Sequence, residues 1–245
     1  CTIADWNPVS EFFFHEYNLH DSPDSEYIHA TYKDSLKVTP PEIIRNILEM
    51  GKRDPNWANI YLEGKLGRIE GLVYPYFEQV DKLPEGDSHL GLDFGFSGDP
   101  AGLVRNVIIG DELYSQELIY GTNLTNQDLG RLMEERGVRK GYDEIFADSS
   151  EPKSIEELCR MGFNVKPAPK GADSVEFGHQ KIRQLKQYWT KDSLNGIKEQ
   201  RNFRYIPDKD SKLTEKTTHL YSHLMDARRY GVIGKASGRV YAFEV

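Results

Sequence analysis

The sequence predicts a mixed α/β domain, a five-stranded sheet flanked by helices on both faces. Two observations carry that expectation. Three apolar runs joined by short turns follow one another from His89 to Gly121, the pattern of an antiparallel meander. Strand-like and helical segments then alternate from Thr125 to Tyr230, the pattern of crossover connections. The chain has 245 residues, enough to bury a core without disulfide staples.

The elements are expected in the following order. Residues 1–68 read as a mixed segment: YIHATY (27–32) as a short strand, a helix over 42–51 opened by Pro40-Pro41, and a second helix from Asp54-Pro55 to about Gly64. Residues 69–88 mix Gly, Pro and acids and read as a linker. The domain proper runs over 89–245. HLGLDFGF is its first strand, AGLVRNVIIG and ELYSQELIYG its second and third, with a tight turn at Gly110-Asp111. Thr125 caps a helix that Gly137 stops. EIFADSS is the fourth strand, Glu151-Pro152 opens a helix to Arg160, and NVKPAP is the fifth strand. A long helix follows from Asp173 or Ser174 to about Tyr188, and a short one over 193–200. Residues 202–216 read as a basic hairpin with PDKDSK at its middle. The last helix is expected over 219–230, and Tyr188 and Trp189 as core.

Composition narrows the function classes. Hydrophobic residues make up 38% and charged residues 29%, the balance of a globular protein and not of a disordered one. No apolar run approaches the roughly 20 residues of a membrane span, so no membrane partner is expected. The opening CTIADWNPVSEFFF lacks a basic n-region and does not read as a signal peptide. Cys1 and Cys159 are too few for a disulfide framework or a four-cysteine zinc site. The net charge of −8 comes from residues 1–90, with 8 Lys and Arg against 16 Asp and Glu. Residues 91–245 carry 23 of each, and 166–204 hold nine basic against four acidic residues. That local excess suits a focused phosphate-binding surface.

Three aspartates stand where chemistry is done. Asp93 sits inside the apolar first strand, where an ionised carboxylate facing a core would be costly. Asp148 ends the fourth strand, the place where an open α/β sheet presents ligands. In the βββαβ order of a ribonuclease H-like sheet the fourth strand lies beside the first, which makes these carboxylates neighbours. Asp226 lies in HLMDARRYG, at the edge of a buried helical stripe. Three clustered carboxylates repel one another unless cations neutralise them, and hard oxygen ligands select Mg²⁺ or Mn²⁺. Two such ions would activate a water and stabilise the leaving oxygen of a phosphodiester.

LGLDFGFSGDPAGLV, IFADSSEPKSIEEL, GFNVKPAPKGADSV and HLYSHLMDARRYG resemble, in order over about 89–232, the nuclease domain of the large terminase subunit of tailed bacteriophages. NPVSEFFFHEY, IHATYKD and EGKLGRIEGLVYPYF resemble the end of that family's ATPase domain and its linker. The resemblance implies a ribonuclease H-like, metal-dependent endonuclease that cuts concatemeric double-stranded DNA with little sequence specificity. It implies Asp93, Asp148 and Asp226 as ligands of two Mg²⁺ or Mn²⁺ ions, with His223 beside them as a helper. It also implies a portal protein and a small terminase subunit as partners through the full-length subunit, and the host cell cytoplasm as the location. No Walker A or Walker B segment is present, so residues 1–68 read as an ATPase-domain remnant and no ATPase activity is expected.

Lys166, Lys170, Arg201, Arg204 and Lys212 are the candidate DNA contacts. Lys170 precedes a helix start that suits an anion, and Lys212 lies in the expected hairpin. Asp99-Pro100 reads as a turn after the first strand. Two other readings share the topology. An actin-like or sugar-kinase ATPase also begins Asp-x-Gly, as Asp93-Phe94-Gly95 does, but needs a second phosphate loop and a Gly-Gly pair that this sequence lacks. A transposase or resolvase would use the same carboxylates but often ends with Glu where this chain has Asp226.

Overall fold

The computed structural model describes residues 23–53, 57–65, 71–95, 98–171, 174–208 and 213–240. The chain divides into two compact units, Cys1–Glu70 and Gly71–Val245.

In the first unit, α1 (Pro41–Arg53) opens on a proline, whose missing N–H is one the first turn leaves unpaired anyway. A single 3₁₀ turn, Tyr32–Ser35, precedes it, with Thr31 and Asp34 capping it reciprocally. The strand expected at 27–32 does not form: Tyr27 and Ile28 are exposed, and the segment takes no strand pairing among the described residues. Of the expected second helix, the described part is a π-helical turn, Ala58–Leu62, that buries Ile60 and Leu62.

The second unit is built on β1 (Glu78–Val80), β2 (Ser88–Asp93), β3 (Ala101–Ile109), β4 (Glu112–Gly121), β5 (Glu144–Ala147), β6 (Asn164–Pro167) and β7 (Lys186–Thr190). They form one seven-stranded sheet in the order β1-β7-β4-β3-β2-β5-β6. The expected meander is β2-β3-β4, antiparallel throughout. Ile109 pairs with Glu112, so Gly110-Asp111 is a two-residue turn, and Gly110 takes the positive φ (60°) that such turns demand. β5 runs parallel to β2, and β6 parallel to β5. Among the described residues, five helices complete the unit: α2 (Asn126–Glu135), α3 (Pro152–Arg160), α4 (Ser174–Arg183), α5 (Leu194–Asn202) and α6 (His223–Val240). β8 (Tyr205–Pro207) and β9 (Leu213–Thr217) pair as the expected hairpin.

The sheet has two strands more than the five expected. β7 uses KQYWT, whose first three residues fall within the long helix expected to about Tyr188. That helix, α4, stops at Arg183, and Gln187 and Trp189 turn inward on a strand parallel to β4. Aromatic and β-branched residues suit a pleated, half-buried surface, and here that preference outweighs helical continuation. β1 comes from the segment read as a linker. Val73 and Tyr74 of that segment are fully buried and Glu78–Val80 pairs parallel with β7, so it is part of the second unit.

Pleat alternation sorts the core into two layers. Leu90, Leu92, Leu103, Ile145 and Ala147 pack with Leu129 and Met133 of α2 and Leu158 of α3. Val104, Leu113 and Trp189 pack on the other face with Ile182 of α4, Ile197 of α5, and Leu224, Met225 and Ala227 of α6. Each fully buried leucine contributes roughly 1.5–3 kcal/mol. Gly91 lies between Leu90 and Leu92, on the α6 face. A Cβ there would stand 1.7 Å from the carbonyl oxygen of Ala227. On α6, Cβ atoms at Gly231 and Gly234 would collide with the Asn106 side chain and the Phe146 ring. The missing side chains let α6 lie directly on β2, β3 and β5.

Candidate active site

The same alternation aims the carboxylates. Leu90 and Leu92 face α2 and α3, so Asp93, the last residue of β2, faces α6. β5 matches β2 in register, Leu92 against Ala147, and the Asp148 amide continues the ladder by donating to Leu92 O at 3.3 Å. Asp93 and Asp148 therefore leave neighbouring parallel strands at the same end. Asp148 Oδ1 accepts from the Ser150 amide at 2.9 Å, which fixes the loop. Asp226 sits in the first turn of α6, three residues after His223 and so on the same helical face. It precedes Ala227, the residue that touches Gly91.

Asp93 is close enough to both other carboxylates to feel their charge. Burial pushes the Asp93 carboxyl above its ordinary value; the His223 bond pulls it back, and the charges of Asp226 and Asp148 push it further up. Nδ1 of His223 lies 3.1 Å from Asp93 Oδ2. Burial opposes a charged His223, and the bond and charge of Asp93, helped by Glu199 and Asp99, carry its pKa above the usual imidazole value. Arg229 clamps Asp226 Oδ1 through Nη2 at 2.6 Å and Nε at 3.2 Å. Three carboxylates so placed could offer hard-oxygen donors, and a divalent cation among them would relieve the repulsion felt at Asp93.

Two residues of this centre escape a reading of the sequence. Glu199 of α5 is buried, and Oε2 accepts the Leu224 amide at 2.7 Å, so it caps the helix that carries His223 and Asp226. Burial raises its pKa to about 7 against the amides, His223 and the Tyr120 hydroxyl that favour its charge. Tyr230, one turn beyond Asp226, has its phenol pushed up by burial first and by Asp226, with Asp148 and Asp93 adding to the shift. Its i+4 spacing from Asp226 was the available signal. Glu199 offered none, because its partner is a backbone amide 25 residues away.

The basic candidates divide. Lys170 reaches the centre, its Nζ donating to Ser150 Oγ at 2.8 Å, two residues past Asp148. Lys166 is engaged with Glu144 at 2.7 Å. The Arg201 guanidinium stands over the Phe77 ring at 5.7 Å. Arg204 is exposed beside the hairpin, where Leu72 and Thr218 hold its backbone. Lys212 lies outside the described residues. No helix among the described residues is long and apolar enough to cross a membrane.

Known proteins are similar to this chain. Residues 93–233 match the family model described as the terminase RNase H-like domain. The PBSX phage terminase large subunit of Bacillus subtilis strain 168 is 29% identical over 223 residues, 85% of this chain and 50% of that protein. The large terminase subunit of Bacillus phage SPP1 is 32% identical over 153 residues, 57% of this chain and 34% of that protein. The chain thus spans half or less of these relatives. The crystal structure of the SPP1 large terminase nuclease domain with bound Mn superposes with a TM-score of 0.54 at 27% identity, covering 59% of this chain and 84% of that one. With its matched region starting at Asp93 and enclosing all three aspartates, the chain belongs to the terminase RNase H-like domain family, the nuclease domain of phage terminase large subunits.

Proposed function

We propose that this chain cuts double-stranded DNA by divalent-metal-dependent phosphodiester hydrolysis, as the nuclease part of a phage DNA-packaging terminase. The observation that carries this reading is the meeting of Asp93, Asp148 and Asp226 at one end of β2, β5 and α6, with Asp93 feeling the charge of both others. These residues would hold two Mg²⁺ or Mn²⁺ ions, which supply charge neutralisation at the scissile phosphate and make water a better nucleophile.

The remaining work falls to the protein's own groups. His223 orients Asp93 and holds a proton on Nδ1 between them. Arg229 keeps one oxygen of Asp226 occupied, so that the other points away from the clamp. Lys170 binds a phosphate flanking the cut, and Arg204 with the hairpin guides the duplex. Such contacts grip phosphate and not base edges, so sequence preference is weak. Residues 1–68 are the end of a preceding ATPase domain. The portal protein and the small terminase subunit engage the longer subunit in the host cytoplasm.

Plasmid cleavage tests this. With Mn²⁺ or Mg²⁺, supercoiled DNA is expected to be nicked and linearised; EDTA abolishes cutting, and Asp148→Ala lowers it by roughly 1000-fold or more. A folded chain that leaves the plasmid intact with both metals, or an Asp148→Ala variant that cuts normally, overturns the reading.

A further inference from the structure

Residues 71–74 enter the second unit as a tightly held strap. The Val73 amide donates to Phe203 O at 3.0 Å, and the Tyr205 amide to Gly71 O at 2.9 Å. Gln200 Nε2 donates to Tyr74 O at 3.3 Å. Tyr74 is buried, and its hydroxyl lies 2.7 Å from Nδ1 of His179, a fully buried residue of α4. Nε2 of His179 has no partner among the described residues, so this hydroxyl is the one that the ring finds there. The Tyr74, His179 and Phe203 rings pack on one another, with centroids 5.6 to 5.9 Å apart.

The residue before His179 touches the clamp on Asp226. α4 lies so close to α6 that a Cβ at Gly178 would stand 2.6 Å from Cγ and 2.8 Å from Cδ of Arg229. The backbone of α4 is therefore one wall of the slot that holds the Arg229 stem, and the guanidinium of Arg229 donates to Asp226 Oδ1. Burial raises the Tyr74 phenol, and the charges of Arg229 and Arg228 pull it back, as expected of groups packed together. Deleting the hydroxyl would leave both ring nitrogens of a buried imidazole unpartnered. The ring relieves that cost only by moving, and α4 with it.

We propose that Tyr74 is a positioning residue of the metal centre: through His179 it holds α4 against the stem of Arg229, and so fixes the Arg229 clamp on Asp226. Tyr74 acts through these neighbours and not as a ligand. Its role rests on the reading of Asp93, Asp148 and Asp226 as a metal site. Arg229 and a metal ion compete for the charge of Asp226, so the grip of the clamp sets how strongly that carboxylate answers a cation. A relaxed clamp leaves Asp226 freer to take one.

The test is Mn²⁺ binding by the 245-residue chain without DNA, read from the electron paramagnetic resonance of free Mn²⁺. Arg229→Met removes the competing charge and should lower the Mn²⁺ concentration for half-saturation. Tyr74→Phe keeps the ring and should shift it in the same direction, by roughly threefold. In the Arg229→Met background Tyr74→Phe should add nothing. His179→Phe breaks the same pair from the other side and should match Tyr74→Phe. Met133→Ala opens a cavity in the opposite core layer; it should lower the melting temperature and leave Mn²⁺ binding unchanged. A Tyr74→Phe chain that binds as wild type does, a shift that persists in Arg229→Met, or an equal shift in Met133→Ala overturns the positioning role and leaves the metal site standing. A wild-type chain that takes up no Mn²⁺ overturns both.

Discussion

Arg228 and Arg229 follow one another on α6, and burial meets them with opposite surroundings. Arg229 is answered by a charge, the carboxylate of Asp226. Arg228 is fully buried and finds no carboxylate among the described residues: Nε donates to Ser115 Oγ at 2.9 Å, and Nη1 to Gln187 Oε1 at 2.9 Å and Gln200 Oε1 at 2.8 Å. Its guanidinium stands 5.0 Å from the Trp189 ring centre, and Nη2 has no hydrogen-bond partner among the described residues. Burial pulls the Arg228 pKa well below the ordinary arginine value. Arg229, despite its burial, is carried above that value by Asp226. The helix thus separates two jobs. One arginine fills the space between sheet and α5 and so positions α6; the other tunes the carboxylate that α6 delivers.

The largest effect should follow from emptying the first position. Arg228→Ala removes a long side chain from a site closed by Trp189, Tyr74 and Gln200, and the walls are too well packed to collapse. A loss of about 3–5 kcal/mol is expected in urea unfolding. Loss below 1 kcal/mol would mean that Arg228 does not hold the helix in place.

Breaking the second position should cost less and respond to metal. Arg229→Met strands Asp226 beside Asp93, and the cost of a broken buried pair, about 3–5 kcal/mol, falls to roughly 1–3 because Asp226 is 25% exposed. Mn²⁺ should restore part of the melting temperature in this variant, since a cation replaces the lost charge, and should do little for Arg228→Ala. Equal metal responses in the two variants would erase the distinction.

The contrast also shows what a sequence discloses. Asp93 and Asp148 were legible because β2 and β5 are short and apolar, so strand alternation and strand order place both carboxylates. Asp226 was legible from the helical stripe around it. The role of Arg228 was not, because its partners Ser115, Gln187 and Gln200 come from β4, β7 and α5, and β7 was read as helix. Missing β7 hid the neutral pocket, while the positions of Asp93, Asp148 and Asp226 depend only on the meander, β5 and α6. Glu199 was hidden for a related reason: helix caps that come from another element leave no local spacing to read.

A smaller effect, in the pH dependence, sharpens the Arg229 side. His179 of α4 is fully buried, its Nδ1 2.7 Å from the Tyr74 hydroxyl. Burial first, and the Arg229 charge second, lower its pKa from 6.5 to about 4. Between those pH values the unfolded chain takes up a proton that the folded chain refuses, so stability falls as pH falls. The contribution is present above pH 6.5 and fully lost below pH 4. His179→Phe should flatten the acid side of the stability profile by on the order of 1–3 kcal/mol. Arg229→Met should flatten it less, by removing only the second cause. An unchanged profile in His179→Phe would place the acid sensitivity elsewhere.

The smallest expected effect is the most discriminating. Arg228→Met keeps most of the volume and removes the charge. Each acceptor it abandons retains another bond: Gln187 Oε1 keeps Gln200 Nε2 at 2.9 Å, and Gln200 Oε1 keeps Trp189 Nε1 at 2.6 Å. The Ser115 hydroxyl still donates to Asn106 Oδ1 at 2.8 Å. What disappears is a buried cation without a counter-charge and one unpartnered N–H group. Stability should therefore lie within about 1 kcal/mol of wild type, or above it, as for other buried charges replaced by apolar groups of similar size. The same methionine one residue later, at Arg229, should destabilise. If both substitutions cost alike, the guanidinium of Arg228 contributes through its hydrogen bonds and not through its volume, and the two arginines differ less than their surroundings imply.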